Sequence, residues 1–441
     1  MLIVVSDLHF ADGSAGVHCL SNEVVRRELA ALGARARHAG ARDIKLVLLG
    51  DIYDLLRTEA WFEVPPEHRP WGASPSEDAA NQVFGSLVAK NREAFELLSG
   101  SLVGSCGFPV EPERVYVPGN HDRLCNLYPS LRERVRATLG QKPSDEPFDH
   151  VYVDLEHAVI ARHGQEWDGF NFEGSETFGP DHLLAPPLED YMQIPIGDLI
   201  ACEFVSRLPG RVREQLGESP AAASLYRQFQ DLFDVRPLIS VSHWILFQAQ
   251  RHNEATQRAI TEALRQTTEE FRALPFVETW LAVHNRQADP FDGANVLRFV
   301  LDLLEHTRLT SLVGRWHLLD RGEPGGAGKE KFARKALEEF DRLDRDPDLA
   351  GRILYVLYGH THDPDQRAVG VVGDPPDEHE RFYLNAGTWR PVHRQSLSGP
   401  GFQSWKSITY TLVYRPGERL WSGDVAKNPA VESWTGSMKE G

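Results

Sequence analysis

Short runs of β-forming residues, each ending on a polar or glycine-bearing turn, set the first limit on what this chain can fold into. They cover Leu2–Val5, Lys45–Leu49, Arg114–Val117, Val151–Asp154, Ala158–Arg162, Arg352–Tyr358 and Phe382–Leu384, and a last run, Ser407–Tyr414, precedes an Arg-Pro-Gly-Glu turn. Between the early runs, apolar residues recur at helical spacing. Val24, Val25, Leu29 and Leu32 share one face of 21–37 behind Ser21 as N-cap, and Val83, Leu87, Phe95, Leu98 and Leu102 do the same over 76–102. Strands alternating with helices predict an α/β layered fold, and the strand-rich stretch 350–425 is expected to close the second half of a sandwich.

The chain has 441 residues, more than one compact core usually holds, so a main domain with a large insertion is expected. From about 175 to 345 the β-runs vanish and helical patterns follow one another, at 197–215, 221–233, 237–270, 275–285, 293–307 and 329–344. The reading is therefore a core in two parts, 1–174 and 346–441, around a helical insertion, 175–345. "RGEPGGAGKEK" (321–331) contains a Gly-Lys pair but is no phosphate-binding P-loop. Glu323 stands where that motif needs its first glycine, and Glu330 where it needs Ser or Thr. A mobile connector is expected there.

Residues able to ligate a metal gather at the ends of the predicted strands. The first ends in Asp7-Leu8-His9, the second in Gly50-Asp51-Ile52-Tyr53-Asp54 and the third in Gly119-Asn120-His121-Asp122. Later ones end in Arg162-His163-Gly164 and Gly359-His360-Thr361-His362. In open α/β sheets the carboxyl ends of the strands border the functional crevice. In an Asp-x-His or His-x-His pair on extended chain, both side chains point the same way and reach one cation. Carboxylate, imidazole and amide donors without thiolate suit Mn, Fe, Zn, Co or Mg, and a shared carboxylate can hold two ions roughly 3.5–4 Å apart. Any single histidine, such as His38 or His306, is more simply a surface or core residue. His243 and His252, nine apart, do not share a helix face and make no second site.

In this order the five elements resemble the motifs of the calcineurin-like metallophosphoesterase superfamily, D-x-H, G-D-x-x-D, G-N-H-D/E, H and G-H-x-H. The resemblance implies a sandwich of two mixed β-sheets flanked by helices. It implies that Asp7, His9 and His362 hold one divalent ion, that Asn120, His163 and His360 hold the other, and that Asp51 bridges them. A hydroxide between the ions, Mn being the first expectation, would be the nucleophile. His121 would protonate or stabilise the leaving oxygen, and Asp122 would orient His121.

The composition narrows the substrate. A net charge of −17 disfavours an extended nucleic-acid path, and Leu55-Leu56-Arg57 after Asp54 departs from the Arg-Gly of the Ser/Thr protein phosphatases. The motifs look closer to the UDP-2,3-diacylglucosamine hydrolase group, with the insertion as a helical cap over the site. The implied activity is hydrolysis of a phosphodiester or pyrophosphate bond, or a phosphomonoester, in a small or nucleotide-linked substrate. A nuclease or cyclic-nucleotide phosphodiesterase is the alternative enzyme. A non-catalytic metal-dependent scaffold binding a protein through the insertion is the alternative of another class. Arg57, Arg123 and Arg390 are candidates to grip a phosphate, with a surface salt bridge as the simpler role. Glu166, Trp167 and Asp168 would select substrate or pin the cap. Asn385 and Thr388 read as structural.

Four cysteines without a Cys-x-x-Cys spacing read as reduced thiols. The start "MLIVVSDLHF" lacks the basic and long apolar segments of a signal peptide, and no run of 18 apolar residues occurs. A cytoplasmic protein is expected. The apolar helices of the insertion suit a homo-oligomer contact as well as a cap.

Overall fold

The computed structural model describes residues 1–16, 20–174, 184, 186–236, 240–284, 294–295, 297–298, 301–302, 327–373, 375–376, 378–396 and 401–439. Two mixed sheets face each other. In the first, β1 (Leu2–Val5), β2 (Lys45–Leu49) and β3 (Glu113–Val117) run parallel, and β1 pairs antiparallel with the long β11 (Phe402–Tyr414). This sheet continues through β10 (Pro391–Gln395) to β6 (Val235–Arg236), while β12 (Ala430–Met438) pairs with β11. The second sheet has the order β4 (Tyr152–Asp154), β5 (Val159–Ala161), β7 (Tyr355–Tyr358), β9 (His379–Asn385) and β8 (Asp365–Val372).

The two-residue period of a strand decides the layering. On β1 and β2, Leu2, Val4, Val47 and Leu49 meet Val159, Ala161, Leu357 and Leu384 of the second sheet. Their alternates Ile3, Val5, Leu46 and Leu48 turn to the outer helices. On the second sheet, Ile160, Val356 and Tyr358 face outward and are covered by Phe332, Ala336, Phe340 and Leu343. Both faces of each central strand are thus buried, which is why these runs read as continuously apolar.

On the outer face of the first sheet lie α1 (Asn22–Ala39), α2 (Glu77–Lys90), α3 (Arg92–Ser99), α4 (Leu102–Cys106), α5 (Arg123–Leu127) and α6 (Pro129–Thr138). Ser21 caps α1 by accepting from Val24 N–H, as expected. The single helix expected over 76–102 is broken at Asn91. Its amide donates to the carbonyl of Leu87 in the last turn of α2 and to that of Ala11 outside the helix.

The insertion supplies α7 (Leu188–Met192), α8 (Ile196–Leu199), a π-helical turn (Ile200–Ser206), α9 (Arg207–Leu216), α10 (Pro220–Phe229), α11 (Val241–Gln250), α12 (Glu254–Arg272) and α13 (Pro275–Val283). The helix expected over 237–270 is two helices, because Asn253 N-caps α12 through Thr256 N–H. The helix expected at 293–307 falls mostly outside the described residues. The expected connector also differs: residues 327–331 open α14 (Ala327–Leu343), and the rest lies outside the described residues. Because Phe332 to Leu343 of α14 cover the second sheet, α14 belongs to the core sandwich by packing. The insertion also contributes β6 to the first sheet and shares one apolar cluster with Leu55, Leu56 and Trp61. No helix among the described residues is long and apolar enough to cross a membrane. Cys106, Cys125 and Cys202 are buried free thiols.

Candidate metal centre

Three parallel strands of one sheet and two strands of the other deliver their carboxyl ends to one place. The chain turns sharply at each end. Asp7, His9, Asp51, His360 and His362 all have φ between 47° and 70°, and Ala158 is the only other non-glycine residue with positive φ among those described. Such conformations cost on the order of 1–2 kcal/mol apiece for L-residues, so five at one spot mark a site whose geometry the rest of the fold enforces. Gly50 and Gly119 make room for it, since a Cβ at Gly50 would overlap the His163 ring and one at Gly119 would overlap Asp51 Oδ1.

Each buried carboxylate has one anchored oxygen and one that points inward. Asp7 Oδ2 accepts from His360 N–H (3.0 Å), and Ser6 Oγ stands 2.6 Å away. Asp7 Oδ1 has no hydrogen-bond partner and lies 3.2 Å from His362 Nε2 and 3.8 Å from His9 Nε2. Asp51 Oδ1 accepts from His121 N–H (2.8 Å), while Oδ2 stands 3.6 Å from His9 Nε2 and 3.2 Å from His163 Nε2.

The histidines are oriented from behind. His9 Nδ1 meets Asp54 Oδ2 at 2.9 Å, His163 Nδ1 donates to Leu49 O at 2.9 Å, and His360 Nε2 meets Asp168 Oδ2 at 3.0 Å. A ring nitrogen that donates outward leaves the other as a lone pair aimed inward, the usual arrangement behind a metal ligand. His360 Nδ1 then faces Asn120 Oδ1 at 3.0 Å, an acceptor against an acceptor. His163 Nε2 is buried without a hydrogen-bond partner. A cation between these groups removes both anomalies, so the donor set fits one. Three groups are close enough to share an ion: Asp7, His9, Asp51 and His362; Asp51, His163 and His360, with Asn120 beside them; and His9, Asp54 and His121, which already bond to one another. Asp51 belongs to the first two.

The charged groups of the cluster shift one another strongly. Burial works to lower His163, yet the Asp51 and Asp7 carboxylates push it up to about 10. Burial works to raise Asp51, but His163 and His121 hold it well below the usual carboxylate range. Burial and the Arg236 guanidinium lower His362 to about 3.

His121 sits edge-on to His9 with ring centroids 4.8 Å apart, and its Nδ1 meets Asp54 Oδ1 at 3.0 Å. The orienting role expected of Asp122 thus falls to Asp54, which brackets His9 and His121 with its two oxygens. Asp122 instead accepts from the backbone N–H groups of Gly119 and Ile52 and ties the second and third strand ends together. No role is expected of Asp54 within Gly-Asp-x-x-Asp from the sequence, although its i+3 spacing from Asp51 marks it.

Arg57, Arg123 and Arg390 are neither surface residues nor open to a ligand. Asp234 accepts from Arg390 Nε and Nη2 (both 2.8 Å) and from Arg57 Nη2 (3.3 Å), and Asp198 accepts from Arg123 Nη2 (2.8 Å). All three are buried and clamp the insertion to the core. Charged groups can be buried only with such partners. Glu166 pins as well, accepting from Tyr191 Oη of α7 at 2.6 Å. Asn385 donates to Gly359 O (2.7 Å) and Thr388 Oγ1 to Asp7 O (2.8 Å), buttressing the first and last motifs. Arg236 of β6 was not foreseen, since no periodicity or motif in the insertion marks it. Its Nη2 lies 3.1 Å from His362 Nδ1. Comparison with protein-family models, with curated proteins and with solved structures finds no match to this chain.

Proposed function

We propose that this protein is a dinuclear-metal phosphoesterase that hydrolyses a phosphodiester or pyrophosphate bond, or a phosphomonoester, in a small or nucleotide-linked substrate. One observation carries the reading: the single oxygen Asp51 Oδ2 stands 3.6 Å from His9 Nε2 and 3.2 Å from His163 Nε2, so one carboxylate serves two adjacent donor sets. Bound divalent cations, Mn²⁺ first among them, supply Lewis-acid polarisation of a phosphoryl oxygen and a water nucleophile at neutral pH.

The chain's own groups do the rest. Asp7, His9 and His362 fix one side of the site, and Asn120, His163 and His360 the other. His121 keeps Nδ1 on Asp54, which leaves Nε2 to hand a proton to the leaving oxygen. Because Asp54 also holds His9, the acid and the first donor set keep one fixed relation.

The test is hydrolysis by metal-stripped protein re-supplied with Mn²⁺, on p-nitrophenyl phosphate, bis-p-nitrophenyl phosphate and a dinucleotide pyrophosphate. Mn²⁺-dependent turnover with preference for the diester or pyrophosphate is expected. Two ions bound with no turnover of any of the three would favour a binding role for the site.

A further inference from the structure

The three arginines that the motifs placed near the site are held by carboxylates of the insertion, which leaves the anion-binding part of the site unassigned. Arg236 differs from them. Its Nη1 donates to the carbonyls of Phe233 (2.8 Å) and Val235 (3.1 Å), and Nη2 stands 3.1 Å and 3.5 Å from His362 Nδ1 and Nε2. It makes no ion pair with any carboxylate among the described residues. Asp234 and Asp7 act on it only from beyond ion-pair distance, so this half-buried guanidinium beside a cluster able to hold cations has no carboxylate bonded to it and can take an anion.

The contact with His362 sharpens this. A ring nitrogen that ligates a cation carries no proton. His362 therefore ligates through Nε2, the nitrogen facing Asp7 and His9, only with its proton on Nδ1. Nδ1 then meets Arg236 Nη2 as a second donor, and the guanidinium needs another acceptor.

The arm that carries it is fixed. β6 pairs in parallel with β10, Arg394 opposite Arg236, and the neighbouring Asp234 is locked between Arg57 and Arg390. A chain of contacts links His121 to His9, His9 to His362 and His362 to Arg236.

We propose that Arg236 is the phosphate-binding residue of this site, an arginine lent by the insertion that takes a non-bridging oxygen of the substrate's phosphoryl group. This rests on the phosphoesterase reading and gives the insertion a part in binding the reacting group itself. The substrate class is a phosphate ester whose non-bridging oxygens are ionised.

Calorimetric titration of orthophosphate into Mn²⁺-loaded wild type, R236K, R236Q and R236A tests it, with Mn²⁺ content measured in each. Phosphate affinity is expected to fall roughly 10- to 100-fold in R236Q and R236A at unchanged Mn²⁺ content, with R236K in between. Should R236A fail to fold, as judged by near-UV circular dichroism, R236Q carries the comparison. Equal phosphate affinity in all folded variants overturns the assignment while leaving the phosphoesterase reading standing. Loss of Mn²⁺ from R236Q overturns it too, by making Arg236 a prop for His362. Wild type that binds Mn²⁺ but no phosphate overturns the assignment of Arg236, while the phosphoesterase reading stands or falls with the turnover assay.

Discussion

Asp54 and His121 meet at 3.0 Å, Oδ1 to Nδ1, while the other oxygen of the same carboxylate holds His9 at 2.9 Å. One side chain therefore fixes both the proposed acid and a proposed ligand, and loss of His121 should differ from loss of Asp54. His121→Ala is expected to keep its metal and lose about 10²- to 10⁴-fold in turnover, the usual size of an acid–base contribution. Asp54→Asn should lose turnover and also about 10- to 100-fold in metal affinity, because it loosens His9. Metal titrations beside steady-state rates check both. Metal lost from His121→Ala would place that ring among the ligands.

The shared oxygen of Asp51 makes a second expectation. Asp51→Asn keeps the size of the side chain and the bond that His121 N–H makes to Oδ1, but it removes the charge that both donor sets face. Turnover should disappear, and the two-ion stoichiometry expected of wild type should fall. Elemental analysis after gel filtration reads this directly. Retained turnover would mean that the two sets act independently.

What was legible in the chain was whatever depends on local order. Leu2–Val5 and Lys45–Leu49 could be read to the residue because strands buried on both faces are continuously apolar. The ligand motifs at their ends came with them. The partners behind the ligands were harder. Asp168 reaches His360 and Arg236 reaches His362 across 192 and 126 positions of sequence, and neither sits in a pattern that spacing can detect. β6 has two residues and exists only because β10 offers it an edge. The three arginines looked exposed because the buried carboxylates that neutralise them lie in a segment whose placement the sequence does not reveal.

Those carboxylates bear on how separable the insertion is. Asp234 is buried between Arg57 and Arg390, so Asp234→Ala would remove the carboxylate that both buried guanidinium groups bond. A loss of about 3–5 kcal/mol is expected, from the penalty for one broken buried pair. Urea denaturation measures it. Excision of 188–284 removes Asp198, Glu203, Asp234 and β6 together, and should unfold the core instead of yielding a cap-free enzyme. A folded, metal-binding excision product would refute that coupling.

A pH dependence can be set well away from the metal centre. Asp154, the last residue of β4, accepts from Lys45 Nζ and Tyr152 Oη, each at 2.8 Å, and from the backbone N–H of His157 at 3.1 Å. Burial works to raise its pKa, but the His157 imidazole, with Nδ1 3.0 Å from Oδ1, together with Lys45 and Tyr152, holds it well below the usual carboxylate range. A carboxylate depressed in the folded state binds fewer protons there than in the unfolded chain. Its contribution is therefore complete above the unfolded value near 3.8 and is lost as pH falls beneath it. Asp154→Asn should cost about 1–3 kcal/mol at pH 7, since Lys45 loses its charge partner. The gap between wild type and variant should narrow as pH falls below 3.8. Urea unfolding of both proteins at pH 7 and in acid compares them under identical conditions, so losses common to the two cancel. A gap that stays constant with pH would mean that Asp154 acts through its turn geometry and not through its charge.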